Sequence, residues 1–157
     1  MSRQAIPTPV ENKGSKPYRI YADVFGDPSS HSHRPVTEAM SSLKACPTPE
    51  ASLSEVRRLL DEERLPGVPV LTADGELVGV VGWRDLMVGR PDRRAREVMQ
   101  HALALPAWTP IGKAAAIMGS ERVELATVVD YDRRAIGVLS ALDVVRWLAR
   151  EDGYVVG

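Results

Sequence analysis

The sequence repeats itself, and a chain that writes one unit twice is constrained to a fold built from two copies of that unit. The stretch Val70–Asp85 lies over Val128–Asp143 with Gly79 on Gly137 and Asp85 on Asp143, at an offset of 58 residues. The same offset of 58 pairs Leu53 with Ile111, Leu60 with Met118 and Val80 with Val138. Further upstream, Val36-Thr37-Glu38-Ala39-Met40 matches Ala95-Arg96-Glu97-Val98-Met99 at an offset of 59, so one residue has been gained in between. Matches that hold register over most of each copy mark a duplicated supersecondary unit.

Each copy carries the same internal plan. In the first, Ser52 or Ser54 offers an N-cap to a helix in which Leu53, Val56 and Leu60 recur at helical spacing, and the helix runs out near Leu65-Pro66-Gly67. Val68–Leu71 reads as a short apolar strand, Asp74-Gly75 as a hairpin turn, and Leu77–Val81 as the returning strand. Asp85 then begins a second helix, and in the second copy Asp143 opens the amphipathic run Val144–Ala149. With a strand ahead of the first helix, the plan is strand, helix, strand, strand, helix, written twice. So small a unit cannot cover both faces of its sheet, so the copies are expected to pack sheet against sheet in one α/β module of the α+β kind. The expected boundaries are an N-terminal arm over residues 1–34, a first repeat over 35–90, a linker and second repeat over 91–152, and a tail over 153–157. The arm is rich in Pro, Ser, Gly and His. Its one alternating segment, Tyr18–Phe25, leaves two readings, a flexible arm or a single added strand.

Bulk properties exclude several functions. Of the 157 residues 44% are hydrophobic but only 5% aromatic, so the core is expected from Val, Leu, Ile, Ala and Met. A net charge of -1 gives no general attraction to nucleic acid or to an anionic membrane. No apolar run approaches the length of a membrane span, and the N-terminus lacks the apolar core of a secretory signal. The single cysteine, Cys46, cannot form an intramolecular disulfide, so the expected location is the cytoplasm.

The Asp-Gly turn followed by apolar-Gly-apolar-apolar and, after three intervening residues, Asp resembles the closing half of a CBS domain. Thr37-Glu38-Ala39-Met40 and Arg96-Glu97-Val98-Met99 resemble its opening. The resemblance covers residues 36 to about 152, and it rests on the order, spacing and duplication of motifs none of which is specific alone. It implies a tandem pair, or Bateman module, related by a pseudo-two-fold axis, with two clefts that take AMP, ADP, ATP, S-adenosylmethionine or a related adenosyl compound as regulatory ligand. No cofactor is required. Such pairs commonly form homodimers and regulate a separate protein.

In the family a Ser or Thr followed three residues later by Asp carries the polar recognition, the carboxylate receiving the ribose hydroxyls and the hydroxyl reaching toward phosphate. A carboxylate is a bidentate acceptor suited to a vicinal diol, and a helix N-terminus favours both its charge and a phosphate. Ser140-Ala141-Leu142-Asp143 has the full pattern, whereas Gly82-Trp83-Arg84-Asp85 has lost the hydroxyl. By the same resemblance each cleft borrows its base-holding residues from the opposite copy. The main cleft would join Ser140 and Asp143 to the segment around Met40 to Ala45 and to Leu65, Pro66 and Val68. The second would join Asp85 to Leu103, Val123 and Glu124, where the Glu124 carboxylate would repel phosphates. Beside this stands the plainer reading that Asp85 and Asp143 are N-caps and Ser140 satisfies a turn.

Other constellations are weaker. His31 and His33 have only His101 as a further histidine, Cys46 in an apolar strand reads as a small buried hydrophobe, and Arg90–Arg96 reads as a solvated basic linker. Trp83, Trp108 and Trp147 read as packing or dimer-face residues. No phosphate loop, nucleophile elbow or carboxylate pair is present, so no metal, nucleic acid, membrane or catalytic role is expected. Two functions remain: a stand-alone adenosyl sensor, and a docking module that binds no nucleotide.

Overall fold

Turn chemistry sets the hairpin of each copy. In the computed structural model, which describes residues 18–20 and 33–157, Gly75 takes φ 83° between β3 (Gly67–Leu71) and β4 (Leu77–Gly82), which pair antiparallel. In the second copy Arg133 takes the same left-handed corner, at φ 62°, between β6 (Leu125–Val129) and β7 (Ala135–Ser140). Each hairpin follows a helix of 11 residues, α1 (Leu53–Glu63) or α4 (Ile111–Glu121), whose C-caps Arg64 and Arg122 are both left-handed. Ser52, not Ser54, caps α1, its hydroxyl accepting from the Glu55 N–H at 3.2 Å. Each hairpin runs straight into a closing helix, α2 (Trp83–Val88) or α5 (Ala141–Glu151). The two aspartates therefore stand in the first helical turn, with Gly82 and Ser140 in the N-cap position expected for them.

The strand ahead of the first helix differs between copies. In the second it is β5 (Ala102–Pro106), parallel to β6 and, on its other side, parallel to β1 (Tyr18–Ile20). In the first the regular part shrinks to β2 (Ser41–Ser42), and Leu43–Pro47 forms no strand, joined to β3 where the Leu71 N–H donates to the Pro47 carbonyl at 3.0 Å. Among the described residues the sheets are a five-stranded one in the order β1-β5-β6-β7-β2 and the β3-β4 hairpin. Leu77 of the hairpin packs with Ala102, Ala104 and Val129 of the larger sheet, so the copies meet face to face.

The copies also exchange their lead-in segments. Val36 N–H donates to the Thr109 carbonyl and Ile111 N–H to the Arg34 carbonyl, both at 2.8 Å. At the duplicated positions Ala95 N–H donates to Ala51 and Leu53 N–H to Arg93, at 2.8 and 2.9 Å. Val36 and Ala39 are buried in the core of the second copy with Leu105, Ile117 and Leu139. Ala95, in the short helix α3 (Ala95–Val98), is buried in the core of the first with Val56, Leu60 and Val81. The repeated glycines make room for this crossing. A Cβ on Gly137 would lie 2.7 Å from the Met40 sulfur, and one on Gly79 2.9 Å from the Met99 sulfur.

Candidate functional site

Ser140 ends β7 and caps α5, and the cap is reciprocal. Its hydroxyl accepts from the Asp143 N–H at 3.0 Å, while Asp143 Oδ2 accepts from the Ser140 N–H at 2.8 Å. Both residues are buried, Asp143 with 9% of its surface exposed. The other oxygen, Asp143 Oδ1, faces the opposite copy and accepts from the Ser41 hydroxyl at 3.3 Å. At the duplicated place Asp85 Oδ2 accepts from the Gly82 N–H at 2.8 Å and Asp85 Oδ1 from the Gln100 side-chain amide at 3.3 Å. Without a hydroxyl at Gly82, half of that cap is missing. The capping role of both aspartates is thus real, and in each it leaves one carboxylate oxygen turned toward the other copy.

Asp143 links two cavities through its partners. Ser41 lines one of about 320 Å³, walled by Lys44, Ala45, Cys46, Leu65, Val68 and Val138. Ser140 lines another of about 510 Å³, with Leu65, Pro66, Arg64, Trp83 and Glu124. Leu65 belongs to both. The first is the smaller, a slot lined also by Ser42 and Glu63, in which Lys44 holds Glu63 at 3.0 Å. The second is the wider and more charged. Its Trp83 is fixed by an indole N–H donating to the Leu65 carbonyl at 3.2 Å. Burial pushes the Cys46 thiol up to about 11, so Cys46 presents a neutral SH to the slot at neutral pH.

Of the main-cleft residues expected from sequence, Ala45, Leu65, Pro66, Val68 and Ser140 line these two cavities, whereas Asp143 lines neither and bonds to Ser41 of one and Ser140 of the other. Met40 turns away and packs in the second copy's core. The second-cleft group is not assembled. Asp85 lines a separate cavity of about 340 Å³, Leu103 is buried in the core with Val123 against it, and Glu124 lines the large cavity beside Ser140. Ser41 falls inside the segment Met40 to Ala45 expected at the main cleft, without being singled out, whereas Gln100 was not expected at either cleft. Each follows a matched methionine at the offset of 59, so the duplication itself marks them as equivalent. Arg64 was missed because a lone Arg at a helix end carries no pattern. Among the described residues no group of His, Cys, Asp and Glu is placed to hold a metal ion, and no helix is long and apolar enough to cross a membrane. His31 lies outside the described residues.

A family model for the CBS domain matches residues 35–90 and again 95–150. Homoserine O-acetyltransferase of Methanohalobium evestigatum is 29% identical over 118 residues, 73% of this chain but 24% of that protein. Inosine-5'-monophosphate dehydrogenase of Mycobacterium tuberculosis (strain ATCC 25618 / H37Rv) is 30% identical over 101 residues, 62% of this chain and 19% of its own. The chain thus spans a quarter or less of these relatives. Among solved structures, CBSX2 in complex with AMP aligns with a TM-score of 0.68 at 24% identity, covering 75% of this chain and 98% of that one. The CBS domain pair of protein MJ0100, in complex with 5'-methylthioadenosine and S-adenosyl-L-methionine, aligns with 0.69 at 20% identity and the same coverages of 75% and 98%. At such identities the likeness is one of fold, a pseudo-two-fold pair.

Proposed function

Because this chain belongs to the CBS domain family, with both of its copies matched, we propose that it is a regulatory CBS pair that binds an adenosyl ligand at the junction around Ser140 and Asp143. The observation that carries the reading is the Asp143 carboxylate, one oxygen held by its own helix cap and the other accepting from Ser41, which lines the smaller cavity from the opposite copy. Volumes of about 320 and 510 Å³ fall in the roughly 300–1,000 Å³ range of small-molecule sites. A ribose diol donating to Asp143 Oδ1 would take the place of the long Ser41 contact, with the base in the smaller slot against Ala45, Val68 and Val138 and with Lys44 and Arg64 as cations for phosphate. A ligand that favours one arrangement of the two copies then shifts the population toward it.

The test is calorimetric titration of the chain and of Asp143→Asn with ATP, AMP and S-adenosylmethionine. Asparagine keeps an acceptor for the Ser140 N–H, so the cap survives while the charge is lost. One hydrogen bond to a charged group contributes about 1.5–3 kcal/mol, so affinity is expected to fall roughly 10- to 100-fold. No heat with any of the three ligands overturns the proposal.

A second reading rests on a separate observation. Leu142, Val145 and Leu148, three residues apart on α5, are exposed, as are Met87 and Val88 of α2. Apolar residues at helical spacing form a stripe, and the occupant we propose for it is the same face of a second copy. Val145→Asp is expected to halve the molar mass measured by light scattering, and a mass unchanged from that of a single chain in both proteins would sink the homodimer.

A further inference from the structure

Leu43, Lys44 and Ala45 of the first copy correspond to Ala102, Leu103 and Ala104 of the second at the offset of 59. The first three line the 320 Å³ slot beside Asp143, with Lys44 and Ala45 exposed. Their counterparts are buried in the cores, Leu103 with 2% and Ala104 with 0% of its surface exposed, and line no cavity with Asp85. The element that separates the two copies here is β1. Tyr18, Arg19 and Ile20 pair in parallel with Ala102, Leu103 and Ala104, and β1 also lies against β4. Val80 of β4 corresponds to Val138, which forms a wall of the slot in the first copy. β1 therefore runs along the backbone edge, and beside the strand, that bound the open slot on the other side of the pseudo-two-fold axis. The cavity left at Asp85 is lined by Arg93, Glu97, Met99 and Gln100 and reaches neither Leu103 nor Val123.

We infer that β1 is an intramolecular occupant of the second cleft, a strand that satisfies the edge a base would otherwise face and leaves each chain one open cleft. The ligand side of this rests on the function proposed above. The occupant side rests on the backbone register of β1 with β5 and on the place of β1 against β4. An unpaired strand edge offers N–H and C=O groups that a further strand can satisfy. A segment tethered to the same chain meets that edge at an effective concentration on the order of millimolar. A ligand must displace it first, so its apparent affinity falls by the fraction of molecules in which the edge is free. The occupied cleft is also the one with Gly82 where the open cleft has Ser140, so the copy with the poorer polar pair is the one the chain fills itself.

The test uses the full chain carrying Arg19→Pro together with Ile20→Pro. Alternate residues of a strand face a given neighbour, so replacing two in succession removes the donor to β5 whichever of them faces it. Amide hydrogen exchange at Ala102–Ala104 is expected to quicken at least tenfold, with β6 and β7 unchanged. Equal exchange with and without the prolines overturns the inference. Titration with ATP and AMP reads the other half. One nucleotide per unaltered chain, lost on Asp143→Asn, supports it, whereas two per unaltered chain overturn it while upholding the proposed function. No binding at all overturns the proposed function, and exchange then decides the occupant by itself.

Discussion

A methyl group on Gly137 would have to share space with two atoms of different mobility. It would lie 2.7 Å from the Met40 sulfur, which can swing aside, and 2.8 Å from the Ser41 carbonyl oxygen, which is backbone. Overpacking of this kind costs typically about 1–3 kcal/mol. Urea unfolding of Gly137→Ala is therefore expected to show a lower midpoint, with little recovery when Met40→Ala is added, because the carbonyl contact remains. Full recovery in the double variant would mean that only the sulfur was in the way. The importance of this glycine was legible in its recurrence at Gly79, but its cause was not. Nothing in the local pattern says that a methionine nearly 100 residues away crosses over it. The same applies to Leu103, an ordinary apolar residue on paper that packs in the second copy's core with Leu105 and Ile117 rather than lining a cleft.

Among elements, the closing helices form a natural comparison. α5 has a reciprocal cap through Ser140 and Asp143, while α2 has a glycine in the capping position and only the Asp85 half of the arrangement. Loss of an N-cap hydroxyl costs about 1 kcal/mol. Ser140→Ala is expected to lower stability in chemical denaturation by about that much and to weaken nucleotide binding less than Asp143→Asn does. A larger loss of binding in Ser140→Ala would shift the main polar role from the carboxylate to the hydroxyl. The hairpins and long helices were readable because each has a strong local signal: the Asp-Gly corner, the apolar alternation, the spacing of Leu53, Val56 and Leu60. Helix starts were read a few residues late, since Asp85 and Asp143 resemble N-caps and in fact stand one turn inside. The main-cleft residues were placed largely by family resemblance. Met40 was the exception, drawn into the core because the lead-in it ends crosses to the other copy.

At the scale of the whole molecule, the exchanged lead-ins tie the two cores together. Val36 is fully buried in one and Ala95 in the other, so neither core is complete in a single copy. Unfolding is accordingly expected to follow one two-state transition, coincident by circular dichroism and by tryptophan fluorescence, rather than one step per copy. Two resolved transitions would show that the cores stand independently. The reciprocity of the exchange has a consequence for a chain cut in the exposed linker between Arg90 and Arg94. Each fragment would carry a lead-in with no core of its own to fill and a core lacking the lead-in it needs. Neither half is then a smaller version of the whole. They are complementary parts of a lock, expected to stay largely unfolded apart and to regain the fold when mixed.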